Sequence, residues 1–540
     1  MAMFNLNRLK TSFLPHGPVY TFLALIIACL TILTVVYASL ARRAQSSSSS
    51  LNHYSVGKGI IDSPVRLPDD GRYIQWTFLQ MNDVYELLPL DRGRKGGLAR
   101  VAYLRKLLKE ENPHTYTILA GDLLSPSALG LSRVNGTMLN GRQMIMTMNT
   151  LGLDYMTFGN HEFDLPESEL LLRMTESNFT WISSNIFRKD SNEQLFGTSI
   201  SHQILSVENL RILLIGLTID TNVPYLRVIN QSSLVNYVEE FLEKFPNGTY
   251  DVLVAITHLD MSIDMELATR IPRIDLILGG HEHENYYYLR GTQYTPIAKA
   301  DANAFTVFIH RCAFNLDTKR LRIFSKLARV SSEVPNEEKT NEVANYWFEL
   351  GIQGFRSLGY QPEKVVSCLP TGVELDGRSE AVRSSNTLLT TLICQSLVWL
   401  TADKETTIGI NNGGGIRIDD ILRETITQYD ILRTLPFGNI VVALSVPGQI
   451  LAQVLTRGIS LKGNGMFLAY TGVQTFDDGK TWFYNGTDIS KTNLYYKVAT
   501  TDYLRDKTQF NHPNVTTLYN TNTTQTKSLM DYLEVQYPPC

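Results

Sequence analysis

Five short polar clusters along the chain carry side chains suited to holding metal ions: Asn82-Asp83-Val84-Tyr85, Gly121-Asp122, Gly159-Asn160-His161-Glu162-Phe163-Asp164, Thr257-His258 and Gly280-His281-Glu282-His283. Taken singly, each has an ordinary explanation. A Gly-Asp pair makes turns, and an isolated histidine at a strand end is more often solvated or packed than a ligand. Together they supply carboxylate, carboxamide and imidazole, a mixture that suits Zn, Mn, Fe or Co better than Ca. Two such cations roughly 3.5–4 Å apart can clamp a phosphoryl group and activate a water. His281 and His283 are two residues apart. A strand would put them on one face, and a loop would let each serve a different metal. His161 and Asp164 have the spacing of an imidazole oriented by a carboxylate. Asp164 equally suits a helix N-cap.

Each cluster closes an apolar, β-rich run: YIQWTFLQM (73–81), YTILAG (116–121), YMTFG (155–159), DVLVAITH (251–258) and IDLILGG (274–280), with RILLIGL (211–217) as a further strand. Helix-like stretches lie between them at Leu98–Glu111, Glu167–Ser177 and Leu234–Phe245. Strands alternating with helices predict an α/β fold, and open α/β sheets place their ligands at strand ends. VPNEEKTNEVANYWFELGIQGF (334–355) reads as a helix connecting two domains. A second α/β pattern begins near 363, with a helix over 386–400 and a strand running into a glycine turn over 406–417. The chain shows no internal repeat.

The series Asp, Gly-Asp, Gly-Asn-His-Glu-Phe-Asp, His, Gly-His-Glu-His resembles the metallophosphatase (calcineurin-like phosphoesterase) signature. Asn412-Gly413-Gly414-Gly415-Ile416-Arg417 and Pro436-Phe437-Gly438-Asn439 resemble the C-terminal domain of the 5′-nucleotidases. The resemblance spans about residues 73–530. It implies a four-layer αββα metallophosphatase domain followed by a second α/β substrate-binding domain. It also implies roles. Asp122 would bridge two divalent cations. Asp83 and His283 would hold the first, and Asn160, His258 and His281 the second. His161, oriented by Asp164, would contact the phosphate. Arg383 and Arg417 would bind phosphate, Gly414 would allow close backbone approach, Asn412 would reach the base edge, and Phe437 and Tyr503 would sandwich a nucleobase.

Two departures from the family pattern bear on chemistry. The first motif is usually Asp-x-His, and here it is Asp83-Val84-Tyr85. Tyr85 admits three readings: it points away and a water replaces it, it hydrogen-bonds a water on the metal, or it ligates as phenolate and favours a ferric ion, as in purple acid phosphatases. After the second aromatic the family has Gly-Gly-Asp-Gly, whose Asp holds the ribose hydroxyls. This chain reads Leu504-Arg505-Asp506-Lys507-Thr508, with Asp506 an offset stand-in.

Tyr20 to Ala41 carries no charged residue, and about 20 helical residues cross a bilayer core. The segment is read as a transmembrane anchor, with a signal peptide as the alternative. Arg8 and Lys10 before it and Arg42 and Arg43 after it leave orientation open. Asn-x-Ser/Thr patterns at Asn135, Asn178, Asn230, Asn247, Asn485, Asn514 and Asn522 all follow it. They favour a body facing the lumen or the exterior. Four cysteines outside the segment, Cys312, Cys368, Cys394 and Cys540, allow at most two disulfides in three pairings.

The 540 residues are 44% hydrophobic and 19% charged, a globular composition. A net charge of −4 excludes a global basic field for nucleic acid, and a mean hydropathy of −0.08 excludes a multi-span membrane protein. The expected order is a cytoplasmic tail (1–19), an anchor (20–41), a Ser-rich stalk (42–70), a catalytic domain (71–335), a helical connector (336–362) and a substrate-binding domain (363–540). The expected activity is phosphomonoester hydrolysis, with nucleoside 5′-monophosphates first, and two divalent ions (Zn, Mn, Co or Fe) as cofactors. One rival keeps the chemistry and changes the substrate to sugar phosphates, cyclic nucleotides or nucleotide sugars. Another is a degenerate binding protein on the same fold.

Overall fold

The computed structural model describes residues 58–62, 71–190, 196–221 and 223–540. The expected tail and anchor (1–41), and the stalk other than 58–62, lie outside the described residues. Among the described residues no helix is long and apolar enough to cross a membrane.

The first domain is built on two six-stranded sheets. One has the order Arg320–Arg329, Thr306–Asn315, Tyr73–Met81, Thr115–Ala120, Tyr155–Thr157, Thr180–Trp181. The other has the order Tyr286–Arg290, Thr295–Lys299, Leu276–Gly280, Val252–His258, Leu210–Thr218, His202–Val207. Their central strands, such as Val252–His258 and Leu276–Gly280, are buried along their whole length, as strands covered twice must be, while the outer strands Arg320–Arg329 and Tyr286–Arg290 are partly exposed. Ile74, Trp76 and Phe78 pack with Ile212, Leu214, Val254, Ile256, Leu276 and Leu278 between the sheets. The alternate residues Leu79 and Met81 face the helices Leu98–Glu111 and Arg142–Leu151. Leu213, Ile215, Leu253, Ala255 and Ile277 face Gln231–Leu242 and Met261–Arg270. Two sheets between two helical layers form the expected αββα sandwich.

Tyr73–Met81, Thr115–Ala120 and Tyr155–Thr157 run parallel in one sheet, as do Leu210–Thr218, Val252–His258 and Leu276–Gly280 in the other, so their C-terminal ends share an edge, and the two edges meet. A Cβ on Gly280 would stand 2.2 Å from Ala120 O of the facing sheet. Only glycine permits that approach.

The connector helix Glu338–Ser357 is capped by Glu337, whose carboxylate accepts from Lys339 N and Thr340 N. Its Ala344, Ile352 and Phe355 join the first domain's core. The turn Lys58–Ile61 also docks there, with Ile60 and Ile61 buried. The polar composition around that turn hid it, and the packed body therefore begins before the expected boundary at 71.

The second domain holds a five-stranded sheet in the order Leu468–Thr471, Ile408–Asn412, Tyr495–Thr501, Ile440–Pro447, Thr516–Thr524. Helices Leu388–Leu400, Gly448–Ser460 and Gln525–Gln536 accompany it. Of the three cysteine pairings left open, the observed disulfide is Cys368–Cys540, while Cys312 and Cys394 are buried free thiols. The described residues of both domains fall in one compact unit. Glu86 pairs with Arg433 at 2.7 Å and Lys95 with Asp420 at 3.6 Å across their boundary.

Candidate active site

The strand-end clusters converge. Asp83, Asp122 and His258 are buried and bring ligand atoms within 4.8 Å of one another. Asp83 (φ 53°), Asp122 (φ 58°) and His281 (φ 84°) all sit in the left-handed region, where few side-chain-bearing residues lie. Such conformations persist where the surroundings over-determine them. Here they do: Asp83 Oδ2 accepts from Asn82 Nδ2 at 2.8 Å and from His281 N at 3.0 Å. Asp122 Oδ1 accepts from His161 N at 2.9 Å.

His258 Nδ1–H donates to Ala120 O at 2.8 Å. A carbonyl can only accept, so Nε2 carries the lone pair in the neutral ring. That Nε2 is buried without a hydrogen-bond partner, 3.3 Å from Asp122 Oδ2, and Asn160 Oδ1 is likewise buried and unpartnered. Buried polar atoms are rarely left so. Two orphaned lone pairs beside two carboxylates fit a divalent cation. Burial opposes a charge on His258, but the Asp122 and Asp83 carboxylates override it and raise the imidazole to about 10. Burial likewise opposes ionisation of Asp122, yet His258 and His161 hold it far below the usual carboxylate range.

His283 Nε2 lies 3.5 Å from Asp83 Oδ1, and its Nδ1 is bound to Asp419 Oδ2 at 2.7 Å. Tyr85 does not point away, which corrects the first of its three readings. Its ring is 4% exposed, and its hydroxyl donates to Asp122 Oδ2 at 2.9 Å, with Asp83 Oδ1 at 3.4 Å and His283 Nε2 at 3.5 Å. Burial, then Asp122 and Asp83, push the phenol well above its ordinary value. His281 stands beside His258, ring centres 5.2 Å apart, with Nε2 3.3 Å from Asp260.

His161 and Asp164 are in contact. His161 Nδ1 is 2.7 Å from Asp164 Oδ2, which also accepts from Ser125 Oγ at 3.2 Å. Asp164 lies in the 3-10 turn His161–Asp164 itself and caps no helix. On the opposite side of the ring, Nε2 meets Arg417 Nη2 at 3.1 Å. A cavity of about 860 Å³ opens from this point. Asn160, His161, Asp164 and His281 line its first-domain side. Arg383, Asn412, Gly414, Arg417, Phe437 and Tyr503 line the rest. Phe437 and Tyr503 are 42% and 39% exposed, unusual for large aromatic rings. Asn412 Nδ2 already donates to Gly465 O, and a Cβ on Gly414 would strike Gly465 at 2.8 Å. Close loop packing thus requires glycine at 414 before any ligand does. Asp506 is not among the lining residues. It is exposed and forked by its neighbour Arg505 at 2.7 and 3.0 Å, which corrects its reading as a ribose-binding stand-in.

Residues 77–285 match the calcineurin-like phosphoesterase family, and residues 369–512 match the 5′-nucleotidase C-terminal domain. The chain belongs to the two-domain 5′-nucleotidase family. It is a metal-dependent phosphoric ester hydrolase. It is 26% identical over 500 residues to the trifunctional nucleotide phosphoesterase protein YfkN of Bacillus subtilis, covering 82% of this chain and 32% of that protein. The chain thus spans about a third of that relative. It is 25% identical over 447 residues to a snake venom 5′-nucleotidase of Gloydius brevicauda, 74% of this chain and 73% of the relative. The 5′-nucleotidase precursor of Thermus thermophilus shares the fold, with TM-score 0.70 over 86% of this chain and 97% of that one at 21% identity.

Three supporting groups of this 5′-nucleotidase-family site escaped sequence reasoning. Glu162 accepts four backbone N–H bonds, from Asp122, Leu123, Leu124 and Gly159 at 2.6–3.1 Å. It thereby ties the loops of Asp122 and Asn160 together. Buried Lys299 donates to Leu259 O and pairs with Asp264 at 2.9 Å and with Glu282, which fixes the loop bearing His281 and His283. Asp419 holds His283 from the other domain. Glu162 and Glu282 stand inside the motifs and could have been suspected there. Nothing local marks Lys299 or Asp419.

Proposed function

We propose that the protein hydrolyses phosphomonoesters, nucleoside 5′-monophosphates first among them. The observation that carries this reading is the cleft itself: the acidic cradle at one end, two half-exposed aromatic rings at the other, and the His161–Arg417 contact between them. Asp83, Asp122, Asn160, His258, His281 and His283 would hold two divalent cations, which when bound polarise the phosphate and supply an activated water. Asp164 keeps the proton on His161 Nδ1. His161 Nε2 accepts from Arg417 Nη2, so it can donate to the departing oxygen only after taking a proton. Arg417 and Arg383 bring fixed positive charge to the phosphate oxygens. The Nε of Arg383 is buried without a partner in the protein, and an anion would satisfy it.

A second substrate reading rests on what lines the far end. The carboxylates lining the cavity, Asp164 and Asp260, stand with the histidines, so no lining carboxylate is placed for ribose hydroxyls. Sugar phosphates, cyclic nucleotides and nucleotide sugars therefore remain rivals. Turnover of AMP, p-nitrophenyl phosphate, ribose 5-phosphate and a phosphodiester, with Zn, Mn, Co, Fe or Mg added back, separates them. If AMP is no better than p-nitrophenyl phosphate, the nucleotidase reading fails.

The working compartment is proposed to be extracellular or lumenal, with residues 20–41 as anchor or cleaved signal. The seven sequon asparagines are all exposed, and Cys368–Cys540 is a cross-link of oxidising compartments. Glycosidase-sensitive mass on a protein from a eukaryotic secretory host tests it.

A further inference from the structure

His283 reaches the cradle from the first domain, but the group that orients it comes from the second. Asp419, 136 residues further along the chain, accepts from His283 Nδ1 at 2.7 Å. That bond leaves Nε2 as the lone-pair atom on the side of Asp83 and Tyr85. Asp419 is itself fixed. Its side chain is only 13% exposed, its backbone is left-handed (φ 46°), and its other oxygen accepts from Ser379 N at 2.7 Å. Two residues earlier in the same loop, Arg417 meets His161. One loop of the second domain thus touches both a candidate ligand and the candidate catalytic imidazole.

We infer that Asp419 is a positioning residue that completes the metal centre across the domain boundary, so that cation affinity depends on the second domain being seated on the first. The inference rests on reading His283 as a ligand. A carboxylate behind a ligating imidazole fixes its tautomer and direction, and loss of such a partner costs about 10- to 100-fold in metal affinity. Linkage is reciprocal: a cation that needs Asp419 in place also holds the loop of Arg417 against His161.

The test strips the full-length protein with a chelator and titrates Zn2+ or Mn2+ against a chromophoric competitor. Wild type, Asp419→Asn and Asp420→Asn are compared. Asp420 is the control, because it supports the same boundary through Lys95 without touching His283. The expected result is two sites in wild type, one of them weakened about 10- to 100-fold in Asp419→Asn and unchanged in Asp420→Asn. The Co2+ ligand-field spectrum of that site should shift in Asp419→Asn alone. Wild-type affinity and spectrum in Asp419→Asn overturn the inference, as do equal losses in both variants. If wild type binds no cation, the functional reading falls with it. Should Asp419→Asn not fold, Ser379→Pro removes the anchoring amide at a first helical position that proline tolerates. Weakened binding there supports the inference, and unchanged binding overturns it.

Discussion

His161 Nε2 stands 3.1 Å from Arg417 Nη2, joining the first domain's imidazole to the second domain's guanidinium. Since Asp164 occupies the other ring nitrogen, the ring is aimed at Arg417, and a phosphate entering between them would meet both. His161→Ala should lower kcat on AMP and on p-nitrophenyl phosphate by about 10²–10⁴-fold, with binding retained. Arg417→Ala should raise KM as well. The double variant should lose less than the product of the two. Unchanged turnover in His161→Ala rejects the site.

Metal affinity should climb with pH. The neighbouring carboxylates raise His258 to about 10 against the opposing effect of burial, and a cation needs the lone pair that the proton occupies. Affinity should therefore rise by up to a decade per pH unit until about 10, with one proton released per cation bound at that site. In the chelated protein the same shift means that protonated His258 stabilises the fold fully below its unfolded value of about 6.5. That contribution is lost as pH rises through about 10. Calorimetric titration in buffers of different ionisation enthalpy counts the proton, and a pH-independent affinity contradicts the arrangement.

Tyr85 should act as a neutral donor. Its hydroxyl is already bound to Asp122 and burial keeps the proton on. The metal-replete protein should show no phenolate charge-transfer band, and Tyr85→Phe should retain both cations while weakening one modestly. Tyr85→His, which restores the family's imidazole, should tighten it. A visible charge-transfer band that disappears in Tyr85→Phe would show phenolate ligation instead.

Phe437 and Tyr503 should matter only for substrates with a base. Stacking on an aromatic ring is worth about 1–3 kcal/mol per base. Each alanine variant should therefore raise KM for AMP several-fold to about a hundredfold and leave p-nitrophenyl phosphate unchanged. Equal effects on both substrates would assign these rings to packing.

The parts legible in the sequence were those written locally. Apolar runs ending in Asp83, Asp122, Asn160, His258 and His281 announced strands whose ends converge, because parallel strands put their ends on one edge. The direction of Tyr85 was not legible, because it depends on Asp122 and His283, both far along the chain. Asp419 and Lys299 were hidden for the same reason: each acts through a contact made only once the chain is folded. Asp506 misled because spacing along a chain does not say which way a helix surface faces.

The cradle is held by the protein's own bonds: four backbone amides on Glu162, Ala120 O on His258, and Asp419 on His283. Behind them lies the double sheet with its largely apolar interior, tied across by Gln80, which donates to Gly279 O and Ala298 O of the facing sheet. Small domains that fold around a cation collapse when it is taken away. Losing the cation should loosen the loop of Arg417, but the double sheet and the amide bonds to Glu162 are made by protein groups alone. A chelator should therefore disarm the protein without dismantling it, and restoring the metal should bring it back without a refolding step.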